Sequence, residues 1–102
     1  MVMFFICVHA RGLRAGNRGV YHYVHRHSGR IHYVGATNNF NRRHKEHQTA
    51  RHYYTDSTKY KLKRFSMPHS THQEIFKKEK EMIRHTNPVA NKHPGGNGRR
   101  EF

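Results

Sequence analysis

Acids are scarce in this chain, so each can be asked what it does. The whole set is Glu46, Asp56, Glu74, Glu79, Glu81 and Glu101, against 20 Lys and Arg. On a helix stepping about 100° per residue from Ile75, Met82 falls at about −20°, Ile83 at about 80° and Phe76 at about 100°. Glu79 falls at about 40°, in the centre of that apolar face, whereas Glu74 and Glu81 fall near about −100° and −120°, with solvent. A carboxylate inside an apolar stripe is costly unless it is paired or bound to a cation. Helical geometry alone leaves two readings open: a buried ion pair with Arg43, or a cation ligand in a reactive site. Arg43 and His47, at i and i+4, are the next candidates. Counted from Phe40, they share with Ala50 and Tyr54 a stripe about 80° wide, while Arg42, Lys45 and Glu46 point elsewhere. Tyr21 and Tyr33 offer phenols, although cross-strand aromatic packing is the commoner fate of such residues.

The 12 histidines invite a zinc reading through His22-x-x-His25-x-His27, His44-x-x-His47 and His69-x-x-His72. Strand alternation puts His22 on the opposite face from His25 and His27, and two ligands on one helix do not make a structural site. The plainer expectation is a solvated surface that gains charge below about pH 6.5 and then grips anions more strongly.

These side chains need elements to hold them. Gly19 to Arg26 alternates Tyr21, Tyr23 and His25 against Val20, His22 and Val24, a strand by composition and period. Arg30 to Ala36 is a second strand, and the loop between them makes a hairpin. A three-residue loop, 27 to 29 with Gly29 left-handed, pairs 26 with 30 and 23 with 33, placing Tyr21, Tyr23 and Tyr33 on one face. A two-residue loop pairs 27 with 30 and sends Tyr33 to the other face. Thr37 or Asn38 can cap a helix running to about Arg51. Tyr60 to Met67 reads as a third strand ended by Pro68. Ser70 or Thr71 caps a second helix to about Thr86, which Asn87-Pro88 stops. The expected fold class is therefore α+β, order β-β-α-β-α.

Composition bounds what this can be. The chain has 102 residues, one domain's worth, and a net charge of +14. Leu, Ile, Val and Phe number only 18, a balance that with this charge leans towards disorder unless local order overrides it. A large multi-layer enzyme is excluded. The longest apolar run, Met1 to Val8, is too short for a transmembrane helix. It also lacks the basic start and cleavage site of a signal peptide, and reads as an extra edge strand or dispensable stretch. Residues 9 to 18 read as a mobile basic lead-in, and 92 to 102 as a disordered basic tail. Excess positive charge points to a polyanion, with nucleic acid as the default partner and no membrane, since Leu occurs only twice. The single Cys7 excludes an internal disulfide, and a reducing cytoplasm is the expectation.

Gly19-Val-Tyr21 and Tyr33-Val-Gly35, with 11 residues between the tyrosines, then Arg43-x-x-x-His47, Glu79-x-x-x-Ile83 and Asn87-Pro88 to Asn91, together resemble the GIY-YIG nuclease family. The landmarks come in order from 19 to 91. The resemblance implies a three-stranded antiparallel sheet flanked by helices, and phosphodiester hydrolysis with one divalent metal. It implies that Glu79 holds Mg²⁺ or Mn²⁺ and that Arg43 contacts the scissile phosphate. Tyr21, with His47 beside it, would help deprotonate the attacking water, Tyr33 would orient water or phosphate, and Asn91 would support the site by hydrogen bonding. A tyrosine near pKa 10 is a poor base, so it needs the metal and cationic neighbours. The expected activity is a small endonuclease acting on DNA with weak sequence preference, bound mainly through charge. The alternative is a catalytically silent nucleic-acid-binding module on the same fold. A disordered condensing protein is opposed by the periodicities.

Overall fold

The strand that carries the first glycine–tyrosine triplet becomes the centre of the sheet. The structure, a computed structural model, describes residues 17–91. The expected strand over 1 to 8, most of the basic lead-in and the tail lie outside the described residues. Within them run β1 (Gly19–His25), β2 (Ile31–Thr37), α1 (Phe40–Thr49), a 3₁₀ turn (Tyr53–Thr55), β3 (Tyr60–Ser66) and α2 (His72–Thr86). The sheet is antiparallel throughout, in the order β2-β1-β3. This is the expected α+β arrangement.

Both sides of β1 are covered, and its alternation sorts the core into two layers. Val20, with Val34 and Ala36 of β2, packs against Ile75 and Ile83 of α2. Tyr21 and Tyr23 look the other way, onto Phe40 of α1 and Tyr54 of the 3₁₀ turn. One thin sheet thus gives a short chain two small cores, an aliphatic one and an aromatic one.

Hairpin register follows the first alternative only in part. Tyr23 faces Tyr33, as the three-residue loop requires, and Gly29 is left-handed at φ 75. Beyond that pair the register slips, so that Val24 faces Ile31 and the His25 N–H donates to the Arg30 carbonyl at 2.8 Å. His32 is the extra residue of a β-bulge, and residue 26 is not opposite 30. The bulge leaves Tyr21, Tyr23 and Tyr33 on one face.

Helix α1 differs from expectation at its start. Its N-cap is Asn39, whose Oδ1 accepts from the Arg42 N–H at 3.1 Å. Thr37 is one step removed: its Oγ1 accepts from the Asn39 N–H, and Asn38 takes the Arg42 guanidinium instead. The helix stops at Thr49, and Arg51 turns left-handed at φ 60. Ala50 is exposed, and Tyr54 reaches the aromatic layer from the 3₁₀ turn rather than from a continuing helix. Helix α2 begins at Thr71 with a capping box to Glu74 and ends at left-handed Asn87. Asn17 and Arg18 are tied in, their carbonyls accepting from Phe40 and Met67.

Candidate active site

Each glycine of the paired triplets has a separate steric reason. Gly19 sits at φ 146, and a Cβ there would run into the backbone carbonyl of Phe65 on β3. Gly35 faces Tyr21 across the β1–β2 pair, and a Cβ there would overlap the Tyr21 phenol. The second triplet ends in glycine because the first ends in tyrosine.

Into that space Tyr21 sends a hydroxyl that lies 2.7 Å from His47 Nε2. Both residues are 3% exposed. The other ring nitrogen, Nδ1, lies 3.3 Å from the Tyr54 hydroxyl. With the phenol donating to Nε2, the imidazole keeps its proton on Nδ1 and donates it to Tyr54, so the three groups form one chain. His47 is walled by rings, with Tyr33 at 5.1 Å and Tyr21 at 5.8 Å between centroids. Tyr33 stacks on Tyr54 at 4.9 Å and keeps part of its edge in solvent.

Arg43 completes this face. Its Nη1 donates to Glu46 Oε1 at 2.9 Å, so Glu46 reaches back along α1 rather than pointing away. The ion pair shown for Arg43 is thus with Glu46, one helical turn away on the same helix. Burial works against the Arg43 cation, but Glu46 and the Tyr21 hydroxyl outweigh it and hold the charge on. The Nε–H of Arg43 is buried without a protein acceptor. On Tyr21, burial pushes the phenol well above its ordinary pKa of 10, and the Arg43 charge offsets only part of this. Arg43 does favour the phenolate, as expected of a cationic neighbour, but burial outweighs it.

The structure thus brings Tyr21, Tyr33, Arg43 and His47 together. Glu79 lies on α2. It is 2% exposed, one turn from both Ile75 and Ile83, on the helix packed against the valine face. Asn91 braces β2 from outside: its Oδ1 accepts from the Val34 N–H and its Nδ2 donates to the Val34 carbonyl, both at 2.9 Å. Val34 lies on an edge strand between Tyr33 and Gly35, so Asn91 acts as a one-residue strand partner rather than a turn cap.

Three further participants are given no role in this site by the sequence. His44, one turn before His47, takes the Tyr23 hydroxyl at 2.7 Å on Nδ1, repeating the Tyr21–His47 pairing. Their i, i+3 spacing on the helix that holds Arg43 was the available signal. Tyr54 serves His47, and Arg64 of β3 lies opposite Tyr21 with its Nη2 on Asn41 at 3.2 Å. Nor are the histidines uniformly a solvated surface. His22 is buried, and burial lowers the pKa of both His22 and His44.

The family model described as the GIY-YIG catalytic domain matches residues 17–93. The chain belongs to the GIY-YIG family. GIY-YIG proteins form a nuclease superfamily, hydrolases of nucleic acid that generally depend on a divalent metal. No curated protein and no solved structure matches the chain. Among the described residues no helix is long and apolar enough to cross a membrane, and no group of three or more His, Cys, Asp or Glu converges as a metal cage. Mg²⁺ does not require such a cage, since it keeps several waters and uses one or two carboxylates with substrate phosphates. Glu79, a buried carboxylate on α2, has the donor chemistry for such an ion.

Proposed function

We propose that this GIY-YIG chain is a metal-dependent endonuclease that hydrolyses phosphodiester bonds of DNA with little intrinsic sequence preference. The observation that carries the reading is the Tyr21 hydroxyl, 2.7 Å from His47 Nε2 and beside an arginine whose buried Nε–H has no protein acceptor. A phosphate oxygen is the acceptor that donor suits. Arg43 then holds the scissile phosphate and offsets charge gathering on its oxygens. The attacking water gives a proton to the Tyr21 oxygen as Tyr21 passes its own to His47 Nε2. This transfer avoids a free phenolate, which burial makes costly. The new P–O bond forms as the opposite one breaks. Tyr33 orients water or phosphate from the rim, and Asn91 keeps β2 in place. Glu79 would hold Mg²⁺ or Mn²⁺, which supplies charge stabilisation to the phosphate when bound. The single cysteine favours a reducing cytoplasm as its setting.

One observation favours the alternative, a silent nucleic-acid-binding module: Glu79 is buried on α2 between Ile75 and Ile83, whose side chains pack on the valine face and not on the face of Tyr21. Plasmid nicking in Mg²⁺ and in EDTA, by wild type and Glu79→Gln, decides between them. The nuclease reading expects metal-dependent nicking that Glu79→Gln loses while still binding DNA. It also expects a Mg²⁺-induced rise in Tm that the variant lacks. DNA binding without nicking in any metal, and no Mg²⁺ effect on Tm, would favour the silent module.

A further inference from the structure

The tyrosine face does not end at the Tyr21 pocket. At the hairpin end of the sheet, His25 of β1 lies opposite Tyr60 of β3, with centroids 5.2 Å apart. The bulge residue His32 packs on both, at 5.9 Å from His25 and 5.0 Å from Tyr60. Tyr53, on the 3₁₀ turn, stands edge-on to His32 and to Tyr60, at 5.6 Å from each, and its hydroxyl lies 2.8 Å from His32 Nδ1. Yet Tyr53 is 49% exposed. Its ring is oriented by one hydrogen bond and three ring contacts, and half of it is offered to solvent.

A concavity of about 390 Å³ beside it is lined by Arg51, His52, Tyr53, Asp56, Lys59 and Tyr60. Asp56 has one carboxylate oxygen occupied by Thr58, accepting from its N–H at 3.0 Å and its hydroxyl at 2.6 Å. Arg51 and Lys59 are exposed. A rigid open ring between two free-reaching cations suits a ligand that is flat and aromatic on one side and anionic on the other. Bases inside a duplex have no open face to give such a ring, whereas a single strand has one at every base. The rings also run without a break to the candidate active site: Tyr53 to Tyr54 is 5.4 Å, and Tyr54 stacks on Tyr33 at 4.9 Å. Along β1 the distance from Tyr21 to His25 is four residues, about 13 Å.

We propose that Tyr53, backed by His32 and Tyr60 and flanked by Arg51 and Lys59, stacks an unpaired nucleobase next to the cleavage site. The preferred substrate then contains single strand there, as a flap, gap or branch does. The inference rests on the nuclease reading for the identity of the ligand as nucleic acid, and its test does not depend on cleavage. Fluorescence anisotropy in EDTA, at fixed salt, compares a labelled thymidine oligonucleotide with a blunt duplex of equal length. Tyr53→Ala weakens single-strand binding about five- to a hundredfold, the range for losing one stacked base, and changes duplex binding less than about twofold. Tyr53→Phe keeps the strand affinity. Tyr53→Leu, which retains bulk without a ring, falls with Ala. A Tm and circular dichroism spectrum matching wild type show that these variants are folded. Strand affinity unchanged in Tyr53→Ala and Tyr53→Leu, or equal losses on strand and duplex, would overturn the proposal. Ring-dependent strand binding by a chain that never nicks DNA supports the platform while removing the nuclease reading. Nicking with ring-independent strand binding does the reverse.

Discussion

At the residue scale, the site is a buried phenol paired with a buried imidazole, and glycine makes the room. Gly35→Ala puts a methyl where the Tyr21 hydroxyl lies, so either the ring or the strand must move. The expected cost is about 1–3 kcal/mol, read as a lower Tm, with nicking reduced as the phenol is displaced from His47. Titration gives a second check. Burial raises Tyr21, Tyr23 and Tyr54, so their contribution is complete below the ordinary tyrosine pKa and is lost as pH rises through the folded value. Burial lowers His22 and His44, so theirs is complete above the ordinary histidine pKa and is lost as pH falls. Urea midpoints should therefore be flat between about pH 6.5 and 10 and fall on both sides. Replacing His22 with Phe should soften the acid fall only. Tyr21, Arg43 and His47 were legible in sequence because strand and helix periods put them on inward faces. The sign of the Tyr21 shift was not, because burial is a property of the assembled aromatic layer and of no residue taken alone.

At the element scale, an edge strand is held in register by a side chain from a segment 57 positions away. Asn91→Ala removes both hydrogen bonds to Val34. The expected loss is about 1–3 kcal/mol, with faster hydrogen exchange at the Val34 amide than at Tyr23 in the central strand. Val34→Ala would thin the aliphatic core without touching those bonds, and so separates the two effects. The three strands, the second helix and its Thr71 cap could be read from period and capping chemistry. The His32 bulge could not, since it arises from closing the hairpin turn against strands already paired elsewhere. The end of α1 falls close to the expected Arg51, but the left-handed turn there, which sequence does not favour and which brings Tyr54 onto His47, was not legible. Glu79 was rightly placed at the centre of an apolar helix face, but a helical wheel cannot say which side of the sheet that face covers.

At the scale of the whole molecule, charge dominates association. With +14 on a short chain, binding to DNA releases counterions for every phosphate neutralised. Six phosphate contacts would give a log–log salt slope of about −5, measured by anisotropy on duplex DNA from low to moderate salt. A slope near zero with sharp sequence selectivity would contradict a charge-driven domain. The composition leaned towards disorder, and the fold answers it by placing aliphatic and aromatic residues on opposite faces of one sheet. Neither core is large, which is why the pH and glycine effects above should be visible as loss of the whole fold.

We propose that Tyr21, handing its proton to His47 beside Arg43, activates water for strand cleavage. Tyr21→Phe keeps the ring and removes only the hydroxyl. In Mg²⁺ its rate of plasmid nicking should fall about 10²- to 10⁴-fold, the range for losing a general acid–base group, while DNA affinity stays close to wild type and stability falls only by the one buried hydrogen bond lost, about 1–3 kcal/mol. Nicking at the wild-type rate by a folded Tyr21→Phe would contradict the account.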